Sequence, residues 1–115
     1  MREPEVTRKK KPDIRLVHPA CDGPITLEIK IAERWSTLQL EHALRAQLVG
    51  TYMQANNSRF GALVVCSSGP AKKWEVGGKD VAFQDLVAHL QTQAEAITEL
   101  DGHINGLAIV AFDFH

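Results

Sequence analysis

With 115 residues and 44% hydrophobic content, the chain has the size of one globular domain able to bury roughly two thirds of its unfolded surface, so one core is expected. Thirteen basic against fourteen acidic residues leave a net charge of -1, which excludes a whole-molecule basic field but not a local concentration of Lys and Arg on one face. No apolar stretch approaches the length of a membrane helix and no signal-peptide pattern opens the chain, so the expectation is a soluble, cytoplasmic protein.

The first twelve residues, MREPEVTRKKKP, are charged and carry two prolines, and read as a partly flexible or edge segment in which Glu5 to Arg8 can pair as a short strand. The run Arg8-Lys9-Lys10-Lys11 reads equally as a solvated loop and as a phosphate contact. From Asp13 to His18, DIRLVH alternates apolar and polar residues and predicts a half-buried strand; Pro19 and Asp22-Gly23-Pro24 supply turn chemistry. Ile25 to Ile31 alternates again, with the isoleucines and Leu27 on the face expected to meet the core and Thr26, Glu28 and Lys30 on the other. The two strands read as a hairpin.

Ser36 or Thr37 can cap a helix running to about Gln54, with Leu44, Leu48 and Tyr52 or Met53 at helical spacing and Glu41 and Arg45 placed to pair. Phe60 to Cys66 is a continuous apolar run, the pattern of a central strand covered on both faces. A polar loop from Ser67 to Gly78 follows. Asp80 is the expected start of a second amphipathic helix, its stripe running Phe83, Leu86, Val87, Leu90, Ala94, Ile97 and Leu100, with Gly102 as the stop. A last strand spans about Leu107 to Phe114. The order predicts an α/β domain: a mixed β-sheet flanked by two helices on its faces.

Cys21 and Cys66 have no Cys or His at ligand spacing and read as reduced thiols, Cys66 in the core. The five histidines show no zinc-ligand spacing. Trp35 and Trp74 read as core or contact residues rather than base-stacking platforms. Ser67-Ser68-Gly69 lacks the pattern of a phosphate loop. The residues suited to chemistry are Asp13, at the start of one strand, and Glu28 and Lys30 in the next. Two residues apart on a strand, Glu28 and Lys30 share a face at roughly 7 Å separation. Carboxylates suit a hard cation such as Mg²⁺, and the backbone carbonyl of Ile29 is a further oxygen available between them. On spacing alone, a solvated polar hairpin face accounts for the same three side chains.

Pro12-Asp13 followed by Glu28-Ile29-Lys30 resembles the PD-(D/E)xK nuclease superfamily, and the segment from Trp35 to Met53 resembles the helix that follows the motif strand in those proteins. The resemblance implies a restriction-endonuclease-like core over residues 1–115, hydrolysis of DNA phosphodiester bonds (RNA as the alternative substrate), and Mg²⁺ or Mn²⁺ as cofactor. It implies metal binding by Asp13, Glu28 and the Ile29 carbonyl, and positioning of water or phosphate by Lys30. Some branches add a Gln and a Tyr four residues apart on the helix; here Gln47 and Tyr52 are five apart, roughly 140° around an α-helix, so Gln47 is carried over and Tyr52 is not. The superfamily's first helix has no counterpart before Asp13, which leads to the expectation of a C-terminal domain of a longer protein, with a homodimer partner or further domain over the uncovered sheet face. The alternative function is a catalytically inactive module of the same fold that binds nucleic acid or protein within a larger assembly.

Overall fold

The computed structural model describes residues 14–16, 25–54, 59–67 and 72–114. Asp13, Cys21 and the basic run at residues 8–11 lie outside them, as does the strand suggested for residues 5–8.

Strand β1 (Ile14–Leu16) pairs antiparallel with β2 (Ile25–Ile31), Ile14 opposite Leu27 and Leu16 opposite Ile25, so the hairpin expected from the two alternating runs is present. A 3-10 turn, Ala32–Arg34, leads into α1 (Thr37–His42), which continues as a π-helical run, Ala43–Met53. Ser36 is the cap: its hydroxyl accepts from the Gln39 N–H at 3.2 Å while the Gln39 side chain accepts from the Ser36 N–H at 2.8 Å, a reciprocal box that satisfies two N–H groups no helical carbonyl can reach. The expected Glu41–Arg45 pair does not form; Glu41 bonds His89 and Arg45 reaches Gln93 at 2.7 Å, both on the second helix, because burial of one helix against the other offers closer partners than the surface of the first.

The apolar run becomes β3 (Phe60–Ser67), parallel to β2 on one side and to β6 (Gly106–Asp113) on the other, giving the order β1-β2-β3-β6. The loop expected over residues 67–78 and the start of the helix at Asp80 are corrected by a small hairpin, β4 (Trp74–Val76) and β5 (Lys79–Val81), with Asp80 opposite Glu75. Its two-residue turn needs left-handed backbone at both positions, and Gly77 and Gly78 adopt φ of 62° and 82°. Helix α2 (Phe83–Leu100) therefore begins later than expected. Its stripe is buried at Leu86, Leu90 and Ala94, but Leu100 is exposed, and the chain turns at Asp101, whose carboxylate accepts from the His103 N–H, rather than at a left-handed Gly102.

Both helical segments lie on one face of the sheet, not one on each. Leu40, Leu44 and Leu48 from the first and Leu86 and Leu90 from the second share a single core with Leu63 and Val65 of β3 and Ile109 of β6. Gly61 lets the π-helical run come close: a Cβ there would meet the Met53 sulfur at 2.5 Å. The opposite face carries Ile29, Ile31, Val110 and Phe112, all exposed. β3 is thus central but covered on one side only, and Cys66 is half-buried rather than in the core.

Candidate functional site

Strand β2 reverses the expected assignment of its faces. Thr26 is fully buried and Glu28 is 4% exposed, whereas Ile29 and Ile31 are each 38% exposed. Alternation fixes which residues share a face, but the helical layer packs on the polar one. The pair singled out in the sequence is therefore interior: Lys30 Nζ lies 3.1 Å from Glu28 Oε2, with only 13% and 5% of the two side chains exposed. Buried in a medium of low effective dielectric, such a contact is stronger than a surface ion pair, and the desolvation it required is correspondingly large.

Lys30 is the penultimate residue of β2, so its ammonium sits where parallel strands end and crevices form between sheet and helix. It lies 4.6 Å from the centroid of the Trp35 ring. No spacing pattern signals this cation–π contact, since Trp35 follows the strand across the 3-10 turn. The turn is fixed by Trp74, whose indole N–H reaches the carbonyls of Ala32 and Trp35, both at 3.2 Å. Trp74 is itself 3% exposed, in agreement with a core role. A second brace joins the ends of neighbouring strands: the Ser67 hydroxyl donates to the Glu33 carboxylate.

Gln47 comes to the same place. It lines a cavity of about 300 Å³ together with Lys30, Trp35, Gln39 and His42, and its Oε1 is buried with no hydrogen-bond partner among the described residues. A buried acceptor without a donor is costly. Tyr52, set aside on α-helical geometry, needs a different account. Ala43–Met53 winds with i→i+5 bonding, and the Thr51 hydroxyl donates to the carbonyl five residues back, Ala46, at 3.0 Å. In that winding residues five apart fall on neighbouring positions of one side. Gln47 and Tyr52 thus start from the same side of the run, and Tyr52 is buried. The angular argument against Tyr52 fails because the helix is not an α-helix here.

Ile29, the residue between Glu28 and Lys30, points its side chain to the open face. Asp13 lies outside the described residues. Among the described residues no three His, Cys, Asp or Glu side chains gather as a metal-binding group. Glu28 is nevertheless a buried carboxylate of the kind a hard cation takes: Mg²⁺ needs only one or two because it keeps most of its waters.

A larger groove of about 590 Å³ opens beside this cavity, between the first turns of α1 and the β4–β5 hairpin. Trp35, Leu38 and Gln39 line both spaces. No helix among the described residues is long and apolar enough to cross a membrane. Comparison with family models, curated proteins and solved structures returns no match.

Proposed function

We propose that the chain is a metal-dependent nuclease that hydrolyses DNA phosphodiester bonds on a restriction-endonuclease-like scaffold. The observation that carries the proposal is the inward-facing Glu28–Lys30 pair next to the cavity walled by Gln47. Burying the charged side of β2 beneath the helices costs desolvation, while Ile29 and Ile31 stay partly exposed on the open face. The antiparallel β1–β2 pair followed by a parallel β2–β3 pair across a helix supports the scaffold.

Hydrolysis requires a positioned water and compensation for charge that develops on the phosphate. Glu28, with Asp13, would hold Mg²⁺ or Mn²⁺, which when bound polarises the phosphate and acidifies water. Lys30 presents a positive charge held in place by Glu28 on one side and the Trp35 ring on another. A phosphate oxygen entering the cavity meets that charge in partly dehydrated surroundings, where it counts for more than on the surface. Gln47, on the lining of the same cavity, supplies an amide that would orient the attacking water.

The test is incubation of purified protein with Mg²⁺ or Mn²⁺ and labelled single- and double-stranded DNA and RNA. Cleavage is expected, reduced at least about 100-fold by Glu28→Gln or Lys30→Ala. Intact substrates throughout, or a Lys30→Ala variant that cleaves like the parent, would overturn the proposal. A second reading, a non-catalytic module on the same scaffold, is favoured by the cavity lining, which carries no carboxylate among the described residues; crystals soaked in Mn²⁺ that show no ion at Glu28 would support it.

A further inference from the structure

We propose that the groove between α1 and the β4–β5 hairpin holds a single strand of nucleic acid, feeding an unpaired segment past Trp35 to the Lys30 cavity. The proposal rests on the nuclease reading for what happens at Lys30, but not for the binding itself.

The groove has the volume of a site that encloses a ligand rather than of a surface ripple. Three cations, Arg34, Lys72 and Lys73, line it. Lys72 is committed, its ammonium donating to the Glu33 carbonyl at 2.9 Å, but Arg34 and Lys73 form no ion pair among the described residues. Of the two acids on the lining, Glu41 is bonded to His89, leaving Glu75 as the acid without such a partner among them. With Arg34, Lys72 and Lys73 against Glu41 and Glu75, the balance of charge on the groove is positive in a molecule whose total is -1.

Its aromatic wall decides the strandedness. Trp35 borders both spaces, and the Lys30 ammonium lies over its ring. Leu38 beside it is 76% exposed, an apolar side chain standing in water at the rim both spaces share. Bases in a duplex offer only their edges, at the floor of the grooves, whereas an unpaired strand offers whole faces to stack on an indole and press on a leucine. Phosphates on the side of Arg34 and Lys73, with bases on the side of Trp35 and Leu38, satisfy both walls. The same wall carries the strand across to Lys30.

The test is fluorescence anisotropy with labelled oligo(dT), oligo(U) and a blunt duplex of equal length, in EDTA so that no cleavage intervenes. Either oligomer is expected to bind at least 10-fold tighter than the duplex, and their ratio reports the sugar preference. Arg34→Ala/Lys73→Ala, both at exposed positions, is expected to weaken single-strand binding about 10-fold or more and to flatten the slope of log affinity against log salt by about 1.4, the loss of two phosphate contacts. Trp35→Phe keeps an aromatic face and is expected to bind, but to lose the quenching of intrinsic fluorescence that the oligomer causes in the parent, since Trp74 is buried. Equal or tighter duplex binding, or a double variant with unchanged affinity and salt slope, overturns the proposal. Strand binding with these dependencies but no cleavage in Mg²⁺ overturns only the nuclease reading; cleavage with binding indifferent to Arg34 and Lys73 overturns only the groove.

Discussion

On the face of the sheet that carries the helices, β2 presents Thr26, Glu28 and Lys30 beside Leu63 and Val65 of β3; on the opposite face it presents Ile29 and Ile31, with Val110 and Phe112 of β6 two strands away. The first face buries charge inside an otherwise apolar layer, and the second leaves apolar surface exposed. An isolated strand would choose the reverse. The comparison shows that β2 is oriented by its neighbours: β3 and β6 place Leu63, Val65 and Ile109 under the helices, and the register then carries Glu28 and Lys30 inward with them.

The largest effect that tests this contrast is at the buried pair. Lys30→Ala leaves the Glu28 carboxylate buried without its cation and should destabilise the fold by about 3–5 kcal/mol, seen as a lowered midpoint in urea. Lys30→Met combined with Glu28→Leu should recover most of that stability without recovering nuclease activity. A pair variant as unstable as the single one would mean that the charges are structural. Next, Leu63→Ala on the covered face should cost about 2–5 kcal/mol through the cavity it opens under Leu44 and Leu86. Ser36→Ala, which removes half of the box that starts the covering layer, should cost about 1 kcal/mol. Smallest is Ile29→Thr on the open face, expected within about 0.5 kcal/mol because Ile29 is already 38% exposed and lies outside the core. A loss there comparable to Leu63→Ala, or one that depends on protein concentration, would show that something covers this face in solution.

Much of the scaffold was legible because local geometry writes it directly. The alternation of Ile25 to Ile31, the unbroken run from Phe60 to Cys66, and the spacing of Leu44 with Leu48 and of Leu86 with Leu90 each mark an element of the observed fold. The three-residue strands around Gly77-Gly78 carry too few side chains to show a period, so in the sequence the hairpin reads as a polar loop and Asp80 as the start of the helix. Leu100 fitted the stripe of α2 and still faces water, since the helix runs past the end of the core. At the site, Glu28, Lys30 and Gln47 were all singled out in the sequence. Trp35 as the partner of Lys30, and the groove beyond it, were not, because they depend on Trp74 folding back nearly forty residues later to hold the turn.

The sequence by itself determined that Glu28 and Lys30 lie on one side of one strand, a consequence of backbone geometry that no neighbour can alter. Only the tertiary structure decided that this side is the inner one, because which face is covered depends on where distant helices pack. It also decided that Gln47 and Tyr52 begin on one side of their helix, because the winding between them is π rather than α, which the five residues of spacing do not reveal.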